Sequence, residues 1–101
     1  MARFAINSSI VDTEKARHKW DEKRESDGSN MIGRATGAQW EDETLYLSAS
    51  GKMFYVVRAS AIQGAPDLAR EVSKDDAVRW LLLNEHDIPE FLAAEAAAIS
   101  D

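Results

Sequence analysis

The chain has 101 residues, 45% hydrophobic and 30% charged, with three Trp, three Phe and two Tyr; that is material for one globular domain over residues 1–101 and too little for a second core. It has no Cys, which excludes disulfides, thiolate metal sites and a cysteine nucleophile. The net charge of −6 is uneven: residues 1–36 carry seven Lys/Arg against six Asp/Glu, and residues 37–101 carry five against twelve, so the C-terminal two-thirds repels phosphate and disfavours a direct nucleic-acid partner.

Met1-Ala2-Arg3-Phe4 is not followed by the apolar run of a secretory signal, and no stretch reaches the roughly 18 apolar residues of a membrane span. The expectation is a cytoplasmic protein with no membrane partner. Phe4-Ala5-Ile6 and Ile10-Val11 flank Asn7-Ser8-Ser9, and Asn and Ser bond their own backbone in turns. This predicts a small hairpin with strands near 3–6 and 9–12.

Residues 13–25 read TEKARHKWDEKRE, rich in good helix formers. The reading is a surface helix capped by Asp12 or Thr13 and anchored by Ala16 and Trp20, which are four apart and share a face. The alternative is an extended strand that carries Trp20 inward. Residues 26–30, SDGSN, form a loop by composition, and Met31–Ala35 a short strand.

Residues 44–48 and 52–59, TLYLS and KMFYVVRA, are the clearest strand pair. A three-residue loop Ala49-Ser50-Gly51 with Gly last predicts a register that pairs Leu47 with Met53, Leu45 with Tyr55, Tyr46 with Phe54 and Asp42 with Arg58. The Leu45/Leu47 face is the drier one and packs on helices. Residues 61–70 connect. Ser73 then caps a helix over about 74–84 whose Ala77, Trp80, Leu81 and Asn84 share a stripe. Asp87-Ile88-Pro89-Glu90 starts a second helix over about 88–98, with Asp87 as cap and Ile88, Phe91, Leu92 and Ala96 inward. The sum is an α+β fold: a small antiparallel sheet with two C-terminal helices packed on one face.

Chemistry is sparse. His18 and His86 are far apart, with no second ligand at metal spacing. Ser60 and His86 are the one candidate nucleophile and base, with nothing in the sequence to join them. The glycines match no phosphate loop. Tyr46, Phe54 and Tyr55 suggest an RNA-stacking sheet, but only Lys52 and Arg58 lie near them, so they read as core. Glu41-Asp42-Glu43 and Asp75-Asp76 read as a wet acidic edge and a helix N-terminus. No cofactor, metal or catalytic residue is expected. Trp40, beside three acids, is the candidate binding anchor, the alternative being a core Trp at the start of the strand.

Val11-Asp12-Thr13-Glu14-Lys15-Ala16, then Glu43-Thr44-Leu45-Tyr46 leading through Gly51 to Met53-Phe54-Tyr55, then Ala77 and Trp80-Leu81 form an ordered pattern. It resembles a loose group of small uncharacterised proteins of bacteria, their phages and plasmids. The resemblance implies a mobile-element setting and no catalytic activity; size, charge and setting are those of inhibitors of host defence such as anti-CRISPR proteins. The expected function is a non-catalytic protein-binding module that inhibits a host complex. It would use an acidic surface of Trp40, Glu41, Asp42, Glu43, Asp75 and Asp76 against a host protein with a basic surface. The alternatives are a nucleic-acid regulator using Lys15, Arg17, Lys19, Lys23 and Arg24, and a small-ligand binder or enzyme with a pocket between the sheet and Trp80. An open strand edge makes a homodimer an expectation.

Overall fold

The computed structural model describes residues 3–26, 28–61, 64 and 66–99. The expectations for Met1 and Ala2, for Asp27 in its loop, and for Ile62, Gln63 and Ala65 in the 61–70 connection lie outside the described residues. The chain forms β1 (Arg3–Ile6), β2 (Ser9–Asp12), β3 (His18–Asp21), β4 (Arg24–Ser26), β5 (Met31–Gly33), β6 (Glu41–Leu47), β7 (Phe54–Ser60) and β8 (Leu68–Val72), then α1 (Lys74–Leu83) and α2 (Ala93–Ile99). Every pairing is antiparallel: a four-stranded sheet in the order β3-β6-β7-β8, and the two-stranded ladders β1-β2 and β4-β5. The α+β architecture is as the pattern predicts.

The predicted N-terminal hairpin forms at its predicted limits, turning at Asn7, which takes a left-handed φ of 55° that Asn tolerates. The helix expected over 13–25 does not form. Asp12 does cap, accepting from the Glu14 N–H, but only a single 3-10 turn, Thr13–Lys15, follows. The chain then extends into β3, where Trp20 pairs with Leu45 and His18 with Leu47. Local propensity loses here because the strand buries Trp20 against the core, whereas an isolated helix with a two-residue stripe has almost nothing to bury.

The central hairpin is also one residue out of the predicted register. Leu47 pairs with Phe54, Tyr46 with Tyr55, Leu45 with Val56 and Glu43 with Arg58. Gly51, at φ 76°, closes a turn onto the Ser48 carbonyl, and Ser48 then pairs with Met53. The loop therefore has four residues rather than three. One extra residue swaps the faces of β7. Leu45, Leu47, Phe54 and Val56 pack on Ala77, Val78, Trp80, Leu81 and Leu92 of the helical layer. Tyr55 and Val57 face the other way and pack with Ile6 and Val11 of the β1-β2 hairpin. With both faces covered, Phe54–Val57 is a continuous buried run.

Residues 68–70, expected as the end of the 61–70 connection, belong instead to edge strand β8. Ser73 caps α1 by accepting from the Asp76 N–H at 3.1 Å. The helix ends in paired bonds from Glu85 N–H to Leu82 and from His86 N–H to Leu81, the Schellman arrangement, with Glu85 in the left-handed position at φ 59°. The Asn84 side chain accepts from the Lys23 N–H at 2.9 Å and so ties the β3–β4 segment to the helix end. The second helix starts later than predicted. A 3-10 turn at Glu90–Leu92 precedes α2, Pro89 holds the N-cap position, and Asp87 does not cap. Leu92 is fully buried, but Phe91 is half-exposed and lies against His18 and Phe54.

Candidate functional site

The residues singled out in the sequence fall into three different environments. Glu43 is 4% exposed and does not belong to a wet edge. In β6 it alternates in phase with Leu45 and Leu47, so it points at the helices. Its Oε1 accepts from the Trp80 indole N–H at 3.0 Å, and its Oε2 accepts from Arg58 Nη2 at 2.9 Å and Nε at 3.2 Å. A second carboxylate that sequence reasoning missed, Glu22, lies beside it. Glu22 is buried and accepts from the backbone N–H groups of Ala35, Thr36 and Glu43, each at 3.1 Å. Its parity with Trp20 is the signal that finds it: once residues 18–22 are extended, Trp20 inward means Glu22 inward. Buried carboxylates in this number require partners, and these have them.

Trp40, Glu41 and Asp42 are consecutive at the root of β6, where Asp42 is exposed, Glu41 is half-buried, and strand alternation sends the two acids to opposite faces of the sheet. Trp40 is 59% exposed, and its carbonyl accepts from the Ala61 N–H at 2.7 Å, which fixes the backbone where β6 begins. The acids beside it are partly neutralised. Glu41 lies 3.5 Å from Arg58, and Asp42 lies 3.7 Å from Arg24. Asp75 and Asp76 sit in the first turn of α1, where they complement the helix dipole, and Asp76 also pairs with Arg79 at 3.0 Å. They do not join the Trp40 patch. Val72, just before α1, pairs with Phe54, whereas Glu41 pairs with Ser60 at the other end of β7; six strand steps are about 20 Å.

The basic segment is split in the same way. Lys23 pairs with Glu85 at 2.6 Å, and Arg24 Nη2 reaches Glu22 at 3.5 Å and the Glu41 carbonyl at 2.6 Å. The Lys23 hydrogen bond is the main cause that holds the Glu85 carboxyl below its ordinary range. Lys15, Arg17 and Lys19 remain exposed around the 3-10 turn and β3. His86 stacks on Trp80 and donates to the Asp21 carbonyl. Among the described residues no group of three or more His, Asp or Glu is arranged to hold a metal, and no helix is long and apolar enough to cross a membrane.

A cavity of about 510 Å³ lies at the Leu47/Phe54 end of the sheet, on the hairpin side rather than beside Trp80. Arg3, Asp12, Lys15, Ser48, Lys52 and Tyr55 are among its lining residues. Burial, then Tyr46 and then Asp12 push the Tyr55 hydroxyl up from 10.0 to about 12. A folded-state pKa raised in this way gives stability that is complete below pH 10 and is lost as pH climbs toward 12. Urea midpoints should therefore fall across that window, and Tyr55 phenolate absorbance should emerge only near pH 12. Phenolate absorbance from Tyr55 at pH 10 in a folded Tyr46→Phe protein would contradict this.

No family model, curated protein or solved structure matches the chain.

Proposed function

We propose that this chain is a non-catalytic protein-binding module whose contact surface is centred on Trp40. The supporting observation is the indole itself: a large amphipathic ring, mostly exposed, on a backbone pinned by Ala61 at the root of the central strand. Aromatic anchors on rigid mounts lose little entropy on binding and dominate interface energetics. Glu41 and Asp42 follow Trp40 in the chain, one on each face of β6, so the fitting partner is a host protein with a hydrophobic slot and basic groups beside it. The charge of −6 would speed that encounter more than it tightens the complex. The resemblance to mobile-element proteins supplies the setting, inhibition of a host defence complex by occupation of its surface. Asp75 and Asp76 belong to a separate end of the molecule and are not part of the surface proposed here.

The test is capture of host protein by immobilised wild type, Trp40→Ala and the double variant Glu41→Lys/Asp42→Lys. Trp40→Ala should weaken capture at least about tenfold while changing unfolding free energy by less than about 0.5 kcal/mol. The double Lys variant should lower capture mainly at low salt. Capture that survives both changes refutes the proposed surface.

A further inference from the structure

We propose that the cavity between the β1-β2 hairpin and the Ser48–Met53 turn is a binding site for a small hydroxylated anion, a sugar phosphate or hydroxy acid. Three observations converge on it. The first is charge. Arg3, Lys15 and Lys52 line the cavity against the single acid Asp12, a positive site on a chain whose net charge is −6. Among the described residues, Arg3, Lys23, Arg24, Arg34, Arg58, Arg70, Lys74 and Arg79 all lie within 4.0 Å of a carboxylate; of the four cations that do not, Lys15 and Lys52 line this cavity and Arg17 and Lys19 lie outside it. An anion entering here gains two lysines without breaking an ion pair.

The second observation is unmet hydrogen bonding. Three buried side-chain oxygens among the described residues have no hydrogen-bond partner, and two of them, Tyr55 Oη and Asp12 Oδ2, belong to residues lining this one cavity. Tyr55 is 0% exposed. Arg3 lies 3.7 Å from Asp12 Oδ2, too far and too exposed to satisfy it. A buried polar atom left unpaired costs about 1–3 kcal/mol, so a native fold keeps such a pair only with something there to meet it. The third observation is the chemistry that meets both atoms at once. A carboxylate needs a donor, and a phenol donates as well as accepts. Both oxygens are closed to solvent, so an alcohol hydroxyl reaches them only as the rim of the β1-β2 hairpin gives way; it then donates to Asp12 and accepts from Tyr55, leaving the anionic end of the same molecule for Lys15 and Lys52. The volume of about 510 Å³ fits a ligand of that size, and Ser48 and Ser50 supply further hydroxyls at the wall.

The site lies at the opposite end of the sheet from Trp40, so its success or failure is independent of the protein-binding surface. Two-dimensional amide NMR with ribose 5-phosphate and gluconate as probes tests it, with ribose and inorganic phosphate as half-ligands. At least one hydroxylated anion should shift the resonances of residues 10–15, 48–53 and Tyr55, binding about tenfold more tightly than either half-ligand. Tyr55→Phe should weaken the whole probe at least about fivefold, leave inorganic phosphate unchanged, and keep the melting temperature within about 3 °C. Lys52→Gln, an exposed change that leaves the core intact, should weaken probe and phosphate together. Absence of shifts with both probes at about 10 mM, the result expected if only water occupies the cavity, overturns the proposal. Equal binding by wild type and Tyr55→Phe overturns it too.

Discussion

Glu22→Gln should lower the free energy of unfolding by about 2–4 kcal/mol, a large share of what a chain of this size holds. The Glu22 carboxylate is the hub on which the β5–β6 connection is hung. One oxygen accepts from the Ala35 and Thr36 N–H groups, and the other accepts from the Glu43 N–H and, at 3.4 Å, the Thr36 hydroxyl. An ionised carboxylate offers only acceptors, which is what a ring of donors requires. An amide replaces one oxygen with a donor, and in either orientation that donor faces a backbone N–H. Gly33→Ala attacks the same point from outside. A Cβ at Gly33 would stand 2.4–2.5 Å from the three carboxyl atoms of Glu22. The carboxylate cannot retreat without releasing its donors, so a loss of about 2–3 kcal/mol is expected there as well. Because both changes strike one hub, their costs should not add. Urea unfolding of the two single variants and the double variant measures this. A Glu22→Gln protein within about 0.5 kcal/mol of wild type would mean that the carboxylate is not the organising group.

The sequence carried the terminal pieces clearly. Asn7-Ser8 between two apolar runs marks the first hairpin, and Ser73 ahead of Ala77, Trp80 and Leu81 marks α1, because in both cases the local signal and the tertiary need agree. It misled where they disagree. Residues 13–25 are good helix formers, but their one large apolar side chain, Trp20, finds its burial only in a strand beside Leu45. The register of the central hairpin turned on one residue. Gly51 has the positive φ that its position suggested, yet the strand resumes two residues beyond it because Ser48 pairs with Met53. The buried acids were concealed for a different reason. Glu41-Asp42-Glu43 looks like a solvated run by composition, and only its alternation with Leu45 and Leu47 separates Glu43 from its neighbours. Trp40 reads in sequence equally as a core residue at the start of the strand; it is exposed because it lies just before β6, outside the alternation that buries Glu43, Leu45 and Leu47. The cavity with Tyr55 was not legible, since it depends on the face swap that the four-residue loop produces.

That buried position makes Glu43 the second large prediction, and it changes how an acidic surface must be tested. Glu43→Ala should cost about 3–4 kcal/mol, and Glu43→Lys should prevent folding, because either change strands the Trp80 N–H and the second sets a cation against Arg58 and Arg70. Loss of partner capture by a triple 41–43 Lys variant would therefore report unfolding rather than a broken interface. Glu41 and Asp42, which reach solvent, are the positions that probe the surface. Glu43→Gln separates the two duties of the carboxylate. It keeps an acceptor for the indole and gives up the charge that holds Arg58, so a cost of about 1–2 kcal/mol is expected. Arg58 is 42% exposed at its side chain and keeps a contact with Glu41 at 3.5 Å, which lets water and that second acid absorb part of the loss. A double-mutant cycle between Glu43→Gln and Trp80→Phe should show coupling below about 1 kcal/mol, whereas Glu43→Ala with Trp80→Phe should couple by about 1–2 kcal/mol. The Trp80 indole proton, followed by NMR, should move upfield in Glu43→Ala and stay near its wild-type position in Glu43→Gln. Full stability of Glu43→Ala, with the indole signal unmoved, would place Glu43 in solvent and restore it to the acidic surface.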